Sequence, residues 1–289
     1  TVAAAMLAHR ANYDGTDAAF AKTLSINGAV FSRIKGGEID SLLKDAQWLN
    51  VGRLLDVRPD ERKWVMVRTD VFNTIEEDIL FCKEFSKSKI CVDEAEIGKS
   101  FTAKYLSRTL KNCFYVSCDQ AKAKQVFVRL LAKTIGVDDK GKYADVKANI
   151  KYCLKMLPAP LVIIDEAGDL DYPAFLELKE FWNATEGACG WYMIGADGLS
   201  NKIQKGITNK KVGYKEIFSR YSSRYTTIIP TDRSEKLLFY KNMLTQVLSA
   251  NMQDKTNLNQ IVKRCLTADD SGNIGGLRRA ESLLILENQ

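Results

Sequence analysis

The chain has 289 residues, of which 46% are hydrophobic and 27% charged. This is ordinary globular composition, and the length predicts one large domain with smaller ones attached. No apolar run approaches the ~20 residues of a membrane span, TVAAAMLAHR lacks the basic-then-apolar order of a signal peptide, and a net charge of +6 permits a polyanionic partner without requiring one. From the N-terminus, residues 1–58 read as short helices. TDAAFAKTL (16–24) offers Thr16 as N-cap, and Asn27-Gly28 makes a tight turn into a second helix carrying Val30, Phe31 and Ile34 inward. Gly36-Gly37 stops that helix, and LLKDAQWLNVGRLL (42–55) is a further amphipathic one. Arg58-Pro59-Asp60 is the expected linker.

From about residue 64 the pattern changes. Strand candidates recur at 89–92, 113–118, 161–165, 191–196 and 226–230, with helical segments between them. Strand alternating with helix predicts a parallel sheet covered on both faces. After Pro230 only helical segments remain, in RSEKLLFYKNMLTQVL, NLNQIVKRCL and GGLRRAESLLIL. The expected organisation is an all-α N-terminal domain (1–58), an α/β core (59–230) and a small helical domain (231–289). Seven cysteines without a CxxC pair read as reduced, buried thiols of a cytoplasmic protein. With His9 as the only histidine, a His-based zinc site or a Ser-His-Asp triad is not expected.

Two stretches carry chemistry. In KICVDEAEIGKSFTAKYL (89–106) a strand runs into a loop ending Gly98-Lys99-Ser100 and then a helix, the layout of a phosphate-binding loop. Residues Asp93, Glu94, Ala95, Glu96, Ile97, Gly98, Lys99, Ser100 and Phe101 would line the phosphates, with Lys99 reaching the β- and γ-phosphates. In LVIIDEAGDL (161–170) a buried strand delivers Asp165 and Glu166 at its carboxyl end, where open α/β sheets bind ligands. Ser100 and Asp165 are candidate Mg²⁺ ligands, and Glu166 is a candidate general base toward water. ATP with Mg²⁺ is the ligand these residues suit. The loop departs from G-x-x-x-x-G-K-[ST]: Asp93 stands at the first glycine, and Glu96 where glycine is frequent. Pointing inward, acids at 93, 94 and 96 repel a triphosphate; pointing outward, they leave the backbone amides free to bind it.

On DEAEIGKS and VIIDEAGDL the chain resembles the AAA+ ATPases, and three later segments add to the resemblance. WYMIGADGL resembles the strand end that carries a polar sensor, which implies Asp197. FSRYSSRY (218–225) resembles the arginine-finger segment, which implies Arg224, with Arg220 second. GNIGGLRRAESLL resembles the lid segment that places an arginine over the γ-phosphate, which implies Arg278, with Arg279 as alternate. An arginine finger implies a homo-oligomer, ring or filament. AAFAKTLSINGAVFSRIKGGE resembles a phage-repressor-type helix-turn-helix that would present Asn27, Ala29, Val30 and Arg33 to a major groove. Residues 1–58 nevertheless hold seven basic and six acidic side chains, so a helical bundle for protein contacts stays open.

A helix-turn-helix joined to a short AAA+ module is similar to the MuB-type transposition ATPases, related to the TnsC and IstB proteins. That resemblance implies ATP-dependent, largely sequence-non-specific binding of double-stranded DNA, delivery of the DNA to a DDE transposase, and no membrane. The basic stretch 201–224 suits phosphate contacts on a loop-rich segment, with Lys202, Lys205, Lys210 and Lys211 foremost. Two other readings fit the residues: a sequence-specific DNA-binding regulator with a degenerate nucleotide site, and a signalling ATPase that binds protein.

Overall fold

The computed structural model describes residues 1–13, 15–55, 57, 64–268 and 274–287. The expected linker at 58–60 lies outside them, as do Gly272 and Asn273 of the lid segment. Four helices come first: α1 (Val2–Ala11), α2 (Asp17–Thr23), α3 (Gly28–Lys35) and α4 (Asp45–Leu54). Thr16 Oγ1 accepts from Ala19 N at 3.1 Å and Asn27 Oδ1 from Ala29 N at 2.8 Å, so α2 and α3 start on side-chain caps. Their shared core is Met6, Phe20, Phe31, Ile34 and Val51, with Phe20 edge-on to Phe31 at 5.1 Å. The helix read at 42–55 begins three residues later, at Asp45, because Lys44 N is bonded to Gln47 Oε1 and serves as its N-cap.

The core follows as α5 (Asp70–Phe85), β1 (Ser88–Val92), α6 (Lys99–Thr109), β2 (Cys113–Ser117), α7 (Lys124–Ile135), α8 (Tyr143–Met156), β3 (Leu161–Asp165), α9 (Tyr172–Ala184), β4 (Gly190–Gly195), α10 (Asp197–Thr208), α11 (Tyr214–Arg220) and β5 (Tyr225–Thr226). The five strands form one parallel sheet in the order β2-β3-β4-β1-β5. Alternation along each strand divides the interior. Ile90, Val116, Val162, Ile164 and Met193 pack under α7 to α11. Cys91, Ile163, Tyr192 and Ile194 pack under α5 and α6. The terminal helices α12 (Arg233–Asn251), α13 (Leu258–Leu266) and α14 (Leu277–Glu287) extend this second cluster through Tyr240, Leu244, Ile261 and Leu284. The result is an α/β fold: a five-stranded parallel sheet with a small helical lid, preceded by an all-α segment.

The N-terminal helices lie against the core. Tyr13 Oη donates to Ile135 O at 2.8 Å, and Asn12 Nδ2 donates to Arg108 O. Gly136, just past α7, has φ +92°, and a Cβ there would stand 2.9 Å from Thr23 Cγ2 and 3.0 Å from Ala19 O. All seven cysteines are unpaired, and all but Cys153 are buried. Among the described residues no helix is long and apolar enough to cross a membrane.

Two expectations need correction. The strand read at 226–230 is two residues long, because the Ile228 and Ile229 amides donate to Asp93 Oδ2 and leave the sheet ladder. The basic stretch at 201–224 is mostly helical, in α10 and α11, rather than loop-rich.

Candidate nucleotide-binding site

β4 lies between β1 and β3 in the sheet, so the carboxyl ends of all three strands form one crevice. There a cavity of about 300 Å³ opens, bounded by the 95–102 segment, Asp165, Glu166, the end of β4 and the lid. The volume is at the lower end of the range for small-ligand sites. Gly98, at φ +94°, precedes α6, so the unpaired amides of the helix N-terminus face this space. Glu96 holds a left-handed φ of +65° where glycine is frequent in such loops, a strain on the order of 1 kcal/mol.

Each of the three loop acids has a partner in the lid or in the segment leading to it, although Glu96 still borders the cavity and Glu94 the adjoining one. Asp93, 7% exposed, accepts from Glu94 N through Oδ1 at 2.8 Å and from the Ile228 and Ile229 amides through Oδ2. Glu94 Oε2 accepts from Tyr240 Oη at 2.8 Å, and Oε1 pairs with Lys236. Burial raises the Glu94 pKa, but these two donors outweigh it and hold the carboxyl below its ordinary value. Glu96 Oε1 faces Arg278 at 3.8 Å. Lys99 Nζ donates to Asp93 O at 2.8 Å and to Glu94 O. Burial pulls its pKa below the lysine norm, with Asp93, Asp165 and Glu166 opposing the shift.

Asp165, 2% exposed, ends β3. Its Oδ1 accepts from Glu166 N at 3.0 Å and its Oδ2 from Tyr115 Oη at 2.6 Å. Tyr115 lies on β2, in register with Ile163, and no sequence signal marks it. Burial, then the Asp165 and Asp169 charges, raise the Glu166 pKa, a shift suited to a proton acceptor working near neutrality. Among the described residues no cluster of three His, Cys, Asp or Glu could hold a metal alone. Ser100 and Asp165, the two residues read as cation ligands, both line the cavity.

The far wall is apolar. Trp64, Val65, Val67, Phe72, Phe101, Val247 and Leu277 line it, a surface that suits a purine face. Trp64 Nε1 donates to Glu281 Oε1 at 2.8 Å, and Val65 N donates to Asn251 Oδ1 at 2.7 Å. Both bonds tie the segment before α5 to the lid. The sequence reading missed Trp64, whose partner is 217 positions away.

The remaining candidates separate. Arg278 has an 81% exposed side chain and borders the cavity. Asp197 opens α10 and lines an adjoining cavity with Glu94, Arg278 and Arg279 rather than the first one. Arg220 and Arg224 line neither cavity. Arg220 Nε donates to Asn183 Oδ1 at 2.7 Å over the Trp182 ring, and Arg224 is exposed beside β5. Lys202 departs from the DNA-contact expectation: its ammonium is turned inward to Gly168 O and Leu170 O. Lys205, Lys210 and Lys211 are exposed, with Lys211 3.9 Å from the centre of the Tyr172 ring. Asn27 and Arg33 are exposed on α3, where Asn27 caps the helix and Arg33 pairs with Glu38 at 2.7 Å.

Residues 87–203 match a family model described as an AAA domain. No curated protein matches the chain significantly. Among solved structures, the Orc1 protein of Aeropyrum pernix in complex with DNA is similar at 14% identity and a TM-score of 0.55. The match covers 80% of this chain and 63% of that one. NtrX of Brucella abortus in complex with ATP is similar at 14% identity and a TM-score of 0.45, over 89% of this chain and 64% of that one. This chain thus spans less than two thirds of either protein's length. The fold is that of an AAA+ P-loop domain.

Proposed function

We propose that this AAA+ domain binds and hydrolyses ATP with Mg²⁺, and that in its ATP-bound state the protein assembles on double-stranded DNA and presents it to a DDE transposase. The observation that carries the ATP part is the placement of the three loop acids. Each is engaged by the lid or by the segment leading to it, which leaves the amides of the Gly98 turn for phosphate oxygens. Lys99 would bind the β- and γ-phosphates, and Ser100 with Asp165 would hold the cation. A bound Mg²⁺ would supply charge neutralisation at the phosphates. Glu166 would take the proton of the attacking water.

Contact with DNA would be made through positive charge. Lys205, Lys210 and Lys211 lie on one exposed helix-turn segment, and each phosphate neutralised steepens the salt dependence by roughly 0.9 in log K per log salt. Lys202 is left out of that set, because its ammonium braces the backbone. Arg224 lies outside its own chain's cavity, so a role at the γ-phosphate would be played toward a second copy, with Arg278 acting in its own chain. Asn27 and Arg33 would face DNA from α3. The transposase partner rests on the resemblance to MuB-type proteins.

One observation favours the degenerate-site alternative: Lys99 is held by carbonyls of its own loop, a self-satisfied arrangement. The test is binding of a fluorescent random-sequence duplex without nucleotide, with ADP and with ATP–Mg²⁺, at two salt concentrations. ATP-dependent, salt-sensitive binding is expected. Nucleotide-indifferent protection of one discrete site would replace this reading with that of a sequence-specific regulator, and absence of binding at low salt would point to a protein partner.

A further inference from the structure

We propose that Asp93 and Glu94 are positioning residues that join the phosphate loop to the lid, so that capture of Lys99 by a triphosphate is transmitted to the 228–229 segment and to α12. The inference rests on the ATPase reading of this cavity and extends it.

Each of the two residues is bound at both ends. Their backbone carbonyls accept from Lys99 Nζ. Their carboxylates reach out of the loop: Asp93 to the Ile228 and Ile229 amides, Glu94 to Lys236 and Tyr240. Lys236 and Tyr240 are four residues apart and therefore share one face of α12, the first lid helix. Residues 228 and 229 lie on the short path from β5, beside which Arg224 sits, to that helix. A lysine has three N–H donors. A polyphosphate competing for them draws the ammonium off the two carbonyls, and the peptide units at 93 and 94 lose the partner that fixes them. The carboxylates belong to the same residues, so reorientation of these units pulls on the lid through charge-assisted bonds. A glycine at 93 would have no such reach, and the two amides would lose their shared acceptor. The departure from the usual loop pattern is thus a connection.

The test is hydrogen exchange of residues 226–245 with and without ATP–Mg²⁺, alongside nucleotide affinity. In the wild type, ATP is expected to change exchange across this segment. The double variant Lys236→Met/Tyr240→Phe cuts the link at its lid end, away from the cavity. With Glu94 freed its ATP affinity should fall, and at saturating ATP it should show no ATP-dependent change in α12. Asp93→Gly should speed exchange at Ile228 and Ile229 by about tenfold or more, the loss of a charge-assisted acceptor, equally with and without nucleotide. A wild-type ATP response of α12 retained in the double variant overturns the proposal, and so does one at Ile228 and Ile229 retained in a folded Asp93→Gly. So does wild-type ATP binding with no change in 226–245. A wild-type protein that binds no nucleotide instead overturns the reading of the cavity itself, and the coupling with it. Because the double variant leaves Asp93 in place, it decides the question even where Asp93→Gly fails to fold.

Discussion

Lys99 is the residue on which the most converges, since it lines the cavity and its ammonium is also the clasp of its own loop. Lys99→Ala should abolish nucleotide binding and any ATP-dependent assembly; unchanged assembly in light scattering would remove the site assignment. Glu166→Gln should keep ATP bound and lower hydrolysis by roughly two to four orders of magnitude, the usual contribution of general base catalysis. Because burial and the Asp165 and Asp169 charges raise the Glu166 pKa, the deprotonated base is lost at higher pH than for an ordinary glutamate. The acidic limb of the hydrolysis profile should therefore lie above the usual carboxylate range, as a pH–rate series would show. Tyr115→Phe strips a donor from a buried carboxylate and should cost about 1–3 kcal/mol in denaturant unfolding. Lys99, Ser100, Asp165 and Glu166 were legible in the sequence because each sits in a contiguous pattern of strand, turn and helix. Tyr115 and Trp64 were not, because their partners lie 50 and 217 positions away and only the sheet register and the lid bring them close.

At the level of elements, caps and glycines mark the boundaries that the sequence announces best. Thr16 and Asn27 start their helices where a polar side chain precedes an apolar period. The fifth strand was less legible. TTIIP has strand composition, but whether its amides enter the ladder depends on a carboxylate 135 positions earlier. The docking of the N-terminal helices gives a direct prediction. Gly136→Ala places a methyl against Thr23 and Ala19 at a left-handed φ, and should destabilise the protein by about 1–3 kcal/mol. Limited proteolysis should then cut first between the N-terminal helices and the core; an unchanged cleavage pattern would show that the contact is not tight. Asn27→Ala should cost about 1 kcal/mol through loss of the α3 cap, so any DNA-binding defect in that variant must be judged against Arg33→Ala, whose exposed pair with Glu38 is worth little to the fold.

For the molecule as a whole, pH and the sheet edges matter most. His9 is half-buried near Arg108, and desolvation first, then that charge, lowers its pKa to about 4. The folded state thus takes up a proton less readily than the unfolded chain. The neutral-histidine stability is fully present above about 6.5 and is lost as pH falls toward 4, by on the order of 2 kcal/mol after allowing for partial exposure. Thermal unfolding at pH 7 and pH 4.5 should show this loss, and His9→Gln should reduce it. The sheet has two edges, and each is closed differently. At β2 the N-terminal helices stand across a cavity of about 560 Å³, with Asn112 N donating to Asn12 O at 3.4 Å. At β5 the strand stops after two residues because the next amides are spent on Asp93. An open parallel sheet is a template for unwanted strand addition and aggregation. This stub offers an incoming strand almost nothing to pair with, so this edge disfavours continuation of the sheet from one copy of the chain into another.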